Sequence, residues 1–285
     1  MIQLQSTLFA DCETPYPASR YVLIGAPYDG TTSFRPGTRF GPRAIRDQSY
    51  NFEPYIPEYR VDLSELPVHD MGDLDLPVVA EAVVGLVEEA VIGIVHDGKV
   101  PVLLGGEHTV TAGAVRAVQP DIYVVCDAHL DLRKEYRGAE YNHGCSTRLV
   151  YEGGIHEIVI LGARSGTKDQ YEFAEKLHLY SADEIRTMGM QAVITDVKRI
   201  IGSKKAYLSV DADVIDGCLT PGLGTPEPFG ITPQDVRELV AALAPLSVAF
   251  DYVEVCPCDQ GQTASVAAQI VRVFLASHWS AHYLR

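Results

Sequence analysis

Nowhere does this sequence run to the ~20 consecutive apolar residues that a membrane span needs. Its first residues, MIQLQSTLFADCE, hold no basic segment followed by an apolar core, so no secretory leader is expected. None of its six cysteines (Cys12, Cys126, Cys145, Cys218, Cys256, Cys258) forms a C-x-x-C pair or a zinc-ribbon spacing. Reduced thiols in a cytoplasmic protein are the expectation. Cys145 and Cys256 lie close in sequence to the candidate functional residues below, so their oxidation is a route to altered activity. Cations are short as well: 23 Lys and Arg face 38 Asp and Glu, a formal net charge of −15. That balance argues against nucleic acid, which wants clustered Lys and Arg, and favours approach of cationic ligands. No internal repeat, low-complexity tract or linker interrupts the chain, so residues 1–285 are expected to form one domain.

With 47% hydrophobic residues, the chain can bury a core. Apolar, β-branched runs mark candidate strands at Tyr21–Ala26, Val100–Leu104, Ile122–Cys126, Ile158–Leu161, Ala206–Val210 and Val248–Val255. Near-continuous apolar runs fit strands covered on both faces. Helix-period stretches lie between them. Pro77–His96 places Val79, Val83, Leu86, Ala90 and Ile94 along one helix and stops at Asp97–Gly98. Thr232 reads as an N-cap, with Pro233 at the first helical position and Asp235 three residues after the cap. A last helix is expected over Ala264–His278. Alternating strands and helices predict an α/β fold, a three-layer α/β/α sandwich around a mostly parallel sheet. Ligands in such folds gather beyond the carboxyl ends of the strands.

The chemistry sits at those ends. Asp127, His129 and Asp131 alternate in CDAHLD, and Asp211 and Asp213 alternate in SVDADV. Residues two apart in extended chain point the same way, so each stretch aims its groups at one spot. His108 in GGEHT also follows an apolar run. A lone match of this kind is commonly a polar turn, but three at three strand ends point to convergence. Burying four carboxylates together would cost several kcal/mol per ion without cations. Six ligands exceed what one ion usually takes from protein, so the set predicts a two-metal site. Oxygen and imidazole donors without thiolate suit Mn²⁺ best, with Fe²⁺, Co²⁺, Ni²⁺ or Zn²⁺ also admissible. Such a pair lowers the pKa of bound water from 15.7 towards about 7, which predicts hydrolysis by a metal-bound hydroxide.

Taken in order, GAPYDGTTSFRPGTRFGPRAIR (Gly25–Arg46), GGEHT (Gly105–Thr109), CDAHLD (Cys126–Asp131), NHG (Asn142–Gly144), GARS (Gly162–Ser165), SVDADVID (Ser209–Asp216), GTPEP (Gly224–Pro228) and DYVEV (Asp251–Val255) resemble the ureohydrolase family of arginases and agmatinases. The resemblance covers nearly the whole length. It implies an arginase-like α/β/α fold and a binuclear manganese site. One ion would take His108, Asp127, Asp131 and Asp211, and the other Asp127, His129, Asp211 and Asp213. It also implies a homotrimer or homohexamer. The implied reaction is attack on a guanidinium carbon, releasing urea and an amine. Three residues then count as catalytic: Asp131, His143 as proton shuttle, and Glu254 as the carboxylate that takes two guanidinium N–H groups at once. His143 and Glu254 also bind substrate, with Thr225 and Glu227 as further candidates. Asp251 and Asp259 stay ordinary.

The loop LRKEYRGAEYNHG (Leu132–Gly144) is short and charged, unlike the Asn-, Ser- and Thr-rich loop of arginases, and resembles the agmatinase branch. Agmatine, giving putrescine and urea, is the expected substrate, with Glu135, Glu140 or Glu227 for its amine. Leu130, Asp216–Gly217, Leu223 and Cys256 depart from the usual pattern, and all lie on the rim or behind the ligands. Aminopropylagmatine, guanidinobutyrate, arginine, formiminoglutamate and guanidine therefore stay open, and Arg133, Lys134 and Arg137 would favour an acidic tail if they face inward. Two other classes compete: a single-zinc deacetylase, which needs fewer ligands than are present, and a non-catalytic metal-binding or scaffold subunit, which usually loses ligands.

Overall fold

Because their residues are apolar on both faces, the predicted strands become the interior of one sheet. A computed structural model describes residues 8–284. Residues 1–7, which open the segment read above as lacking a leader, lie outside the described residues. The strands are β1 (Tyr21–Ala26), β2 (Tyr55–Ile56), β3 (Val61–Asp62), β4 (Val68–Asp73), β5 (Val100–Gly105), β6 (Ile122–Cys126), β7 (Ile158–Ala163), β8 (His178–Ser181), β9 (Ala206–Asp211) and β10 (Ser247–Val253). The α-helices are α1 (Gly41–Ser49), α2 (Ala80–His96), α3 (Thr111–Val118), α4 (Ser146–Glu152), α5 (Lys168–Ala174), α6 (Ala182–Met188), α7 (Met190–Ile201), α8 (Pro233–Leu243) and α9 (Gln262–Tyr283).

Eight strands form one sheet in the order β4-β1-β5-β10-β9-β6-β7-β8, and β2 and β3 form a separate antiparallel pair. Every pairing in the large sheet is parallel. Side chains alternate between two cores, as the pleat requires. Tyr21 and Leu23 of β1, with Val124 and Cys126, pack on one face beneath α7, α8 and α9. Val22, Ile24, Tyr123 and Val125 pack on the other beneath α2 and α3. The three layers expected from the sequence are present.

Local signals place the helix starts. Thr232 Oγ1 accepts from Asp235 N–H at 3.1 Å while the Asp235 carboxylate accepts from Thr232 N–H at 2.9 Å, a reciprocal cap with Pro233 just inside. Helix α2 begins at Ala80, three residues after the expected Pro77, and α9 runs on to Tyr283, past His278. Strands β4 and β8 were not expected. Each is an edge strand, and β4 (VHDMGD) is too polar to read as buried. No helix among the described residues is long and apolar enough to cross a membrane.

One buried ion pair ties the β4 edge to α1. Arg46 Nε and Nη2 donate to both oxygens of Asp70, at 2.7 and 2.9 Å, and Nη1 donates to Asp73. Removing one partner strands the other charge in the core. Arg46→Ala is expected to cost about 3–5 kcal/mol in urea unfolding. A loss below about 1 kcal/mol, the range of a surface pair, would contradict that burial penalty.

Candidate metal centre and active site

Strands β5, β10, β9 and β6 are neighbours in the centre of the sheet, and their carboxyl ends carry the chemistry. His108 follows β5, Glu254 follows β10, Asp211 ends β9 with Asp213 just beyond, and Asp127, His129 and Asp131 follow β6. Sheet order alone therefore brings four distant segments together.

His108 Nδ1 lies 3.0 Å from Asp211 Oδ2, 3.1 Å from Asp127 Oδ2 and 3.7 Å from Asp131 Oδ2. His129 Nδ1 lies 2.9 Å from Asp213 Oδ2 and 3.6 Å from Asp127 Oδ1. Two groups emerge whose donor atoms all lie within 4.8 Å of one another: His108, Asp127 and Asp211, and Asp127, His129 and Asp213. Asp127 is common to both. Asp211 belongs to the first group alone, and Asp131 stands beside it, its Oδ2 accepting from Ser146 Oγ at 2.7 Å.

These residues fit a pair of cations on three counts. First, Asp127 Oδ2 is buried and accepts no hydrogen bond. Second, Ser209 Oγ donates its only proton to Asp251, so the 3.2 Å contact between Ser209 Oγ and His108 Nε2 must be donated by the imidazole. Nδ1 then faces two carboxylate oxygens, a position for positive charge: a proton, held there against burial by Tyr123 and by the contacts with Asp127 and Asp211, or a metal ion on the Nδ1 lone pair. Third, even with both imidazoles protonated, four buried aspartates leave the cluster net negative. The carboxyl groups show the strain. Burial, then the charge of Asp127, pushes Asp131 up to about 7. Burial and the neighbouring Asp213 and Asp127 push Asp211 well above the usual carboxylate range. Burial acts upward on Asp127 too, but its contacts with His108 and His129 prevail and lower it.

Asp251, taken from the sequence as ordinary, is fully buried behind the site and accepts from the hydroxyls of Tyr207 and Ser209, and Ser209 in turn meets His108 Nε2 from the rear. Asp131 and Glu254 have φ of 49° and 64°, a left-handed backbone that non-glycine residues adopt uncommonly.

A cavity of about 280 Å³ opens over the cluster, lined by His129, Asp131, His143, Asp211, Asp213, Thr225 and Glu254 among others. Glu254 Oε1 accepts from His108 N–H at 2.7 Å. Burial, followed by the charge of Glu107, pushes its carboxyl well above the ordinary range. Burial also holds the His143 imidazole down, to about 4. Thr225 Oγ1 donates to Asp213 Oδ2 at 3.3 Å, so it is already engaged with an acid of the cluster. Glu227 does not line the cavity; its Oε1 stands 3.6 Å from His129 Nε2. Glu135 and Glu140 line an adjoining hollow of about 520 Å³ with Asp169. Cys145 and Cys256 are buried, and burial pushes both thiols up to about 12, which leaves them unreactive.

Sequence reasoning passed over Thr31, Ser33 and Glu107. Thr31 and Ser33 belong to a loop after β1, in GTTSFRPG, where nothing but the position past a strand end sets them apart from a polar turn. Glu107 is wholly buried beside His108, and its place between Gly106 and a ligand candidate was the one signal available.

The profile of the arginase family matches residues 19–276. An agmatinase of Pyrococcus horikoshii is 37% identical over 252 residues, 87% of this chain and 88% of that protein. An N(1)-aminopropylagmatine ureohydrolase of Thermococcus kodakarensis is 39% identical over 261 residues, 89% of this chain and 88% of that protein. The crystal structure of an agmatine ureohydrolase of Thermoplasma volcanium superposes with a TM-score of 0.91 at 37% identity, covering 97% of this chain and 95% of that one. With central strands, strand-end acids and whole-length likeness in agreement, the chain belongs to the arginase family, as an agmatinase-like ureohydrolase.

Proposed function

We propose that the chain hydrolyses agmatine to putrescine and urea, as one catalytic domain spanning residues 1–285. The observation that carries the reading is a single cavity in which a buried Glu254 stands directly beside the acid–imidazole cluster, joined to it through the His108 N–H. Relatives named for agmatine at more than a third identity support the choice of substrate. The cations would be held by His108, Asp127 and Asp211 and by Asp127, His129 and Asp213, with Asp131 alongside, and Mn²⁺ suits this donor set. When bound, such a pair supplies Lewis acidity and a solvent nucleophile at neutral pH. The same reading has the protein cytoplasmic and assembled as a homotrimer or homohexamer.

The chain's own residues do the rest. Glu254 takes two N–H groups of the guanidinium, which fixes the plane of the substrate as well as its charge. The arriving cation also offsets the burial that raises this carboxyl. His143 is neutral at working pH because burial lowers its pKa, so it accepts the proton that attacking water gives up. It returns that proton to the nitrogen on the butyl side as the C–N bond breaks, and the second water proton, left on the new C–O oxygen, passes to the departing amine, so that neutral urea and an ammonium leave.

A second reading is favoured by one observation. The hollow bearing Glu135, Glu140 and Asp169 shares Arg133, Thr167 and Gln170 with the cavity, so a longer polyamine tail has room and carboxylates within reach, although Arg133, Lys134 and Arg148 line the same hollow and balance its charge. N(1)-aminopropylagmatine fits that length. Urea release from agmatine, aminopropylagmatine, arginine and guanidinobutyrate by Mn²⁺-loaded protein separates the readings. Agmatine is expected to turn over fastest. Faster release from aminopropylagmatine would favour the second reading, and release from arginine or guanidinobutyrate alone would overturn both.

A further inference from the structure

Behind His143 lies a chain of hydrogen bonds that the reaction as described does not use. Glu107 Oε2 accepts from Thr31 N–H at 2.8 Å, and Oε1 accepts from the hydroxyls of Thr31 and Thr109 at 2.6 and 2.7 Å. Thr31 Oγ1 also meets His143 twice: the His143 backbone N–H donates to it at 3.0 Å, and Nδ1 lies 3.1 Å away. On the far side of the ring, Nε2 lies 3.0 Å from Ser33 Oγ.

A hydroxyl has one proton to give. Thr31 gives it to the buried carboxylate of Glu107, so its contact with Nδ1 must be donated by the imidazole. We infer that Glu107, acting through Thr31, fixes His143 as the Nδ1–H tautomer and leaves the Nε2 lone pair, fed by Ser33 O–H, as the nitrogen that takes up and returns the proton. Glu107 and Thr31 are thus positioning residues, and the hydroxyl of Ser33, which lines the cavity, marks the path of the proton. The same logic explains why an acid is wholly buried there although it faces neither substrate nor a ligand group. The polarity of the chain runs from one carboxylate outward, and nothing else in it can choose a tautomer. This inference rests on His143 being the proton carrier of the proposed reaction.

Glu107→Gln reverses the chain without changing its shape. The backbone N–H of Thr31 needs the amide oxygen, so the amide NH₂ must face Thr31 Oγ1. The Thr31 hydroxyl is then free to donate to Nδ1, and the ring proton moves to Nε2. Neutron diffraction from perdeuterated, metal-loaded crystals reads this directly and without turnover. The deuteron is expected on Nδ1 in the unmodified protein and on Nε2 in Glu107→Gln. With metal content unchanged, Glu107→Gln should lower kcat by roughly 10- to 100-fold, part of what general acid–base help is worth, with KM nearly constant. Thr31→Val should do the same and Thr31→Ser should restore it, which covers the case of a Gln variant that fails to fold or loses metal. A deuteron on Nε2 in the unmodified protein, or full turnover in Thr31→Val, overturns the inference. If the tautomers behave as stated but His143→Asn turns over normally, the proton-carrier reading fails instead.

Discussion

Asp127→Ala is expected to lower urea release by roughly 10³-fold or more, well beyond the 10- to 100-fold typical of partners outside the ligand shell. Asp127 is the acid common to both ligand groups, one oxygen facing each imidazole. Its Oδ2 is buried and accepts no hydrogen bond, an arrangement that costs free energy unless a cation takes it up. Removing the carboxylate takes a ligand from each group at once. Metal content should therefore fall by at least one ion per chain, as read by elemental analysis of protein freed of loose metal. Asp127→Asn separates charge from shape. It can still accept from the His129 backbone N–H, which Asp127 Oδ1 does at 2.6 Å, yet it lacks the charge and should lose metal too. Full occupancy with normal turnover in either variant would remove Asp127 from the centre.

Glu254→Gln is expected to lower kcat/KM by roughly 10²–10³, which is about 3–4 kcal/mol and in the range for truncating one side of a buried charge pair. The direction follows from one hydrogen bond. Glu254 Oε1 accepts from His108 N–H at 2.7 Å, so the amide oxygen of Gln must take that place. Its NH₂ then faces the cavity and meets guanidinium N–H groups donor to donor. The charge that balanced the substrate is gone as well. Metal content should stay unchanged, which distinguishes this variant from Asp127→Ala. Unchanged kinetics with agmatine would mean that another group anchors the guanidinium.

Much of the site could be read from the chain because its acids and imidazoles stand just past apolar runs, where strands end. The period of two assumed extended chain, whereas Asp213 lies in a short 3-10 helix and Asp131 has a left-handed backbone, so their convergence is set by the turns after β9 and β6. The central strands were equally legible, since burial on both faces leaves an unbroken apolar run. The edges were not. Strands β4 and β8 have one neighbour each and carry polar residues, so their patterns resemble loops. Sheet order was also hidden, because parallel strands joined by helices can be wound in many orders, and it is the order β5-β10-β9-β6 that sets Glu254 beside His108 and His108 beside Asp211 and Asp127.

What surrounds the ligands was least legible. Thr31 and Ser33, Ser209, and Asp251 come from three separate segments, and their roles depend on which hydroxyl gives its proton to which carboxylate. No spacing encodes that. The left-handed backbone at Asp131 and Glu254 is equally silent, since both residues prefer other conformations when nothing holds them. Glu227 is a case where the motif left the direction of the side chain open. TPEP suggested a group reaching the substrate's tail, whereas its carboxylate is turned to His129.

The most direct test is anomalous diffraction from crystals soaked in Mn²⁺, with peaks placed against the side chains. The account predicts two peaks, one among His108, Asp127 and Asp211 and the other among Asp127, His129 and Asp213, close enough to share Asp127. A single peak, or none at these residues, would contradict it.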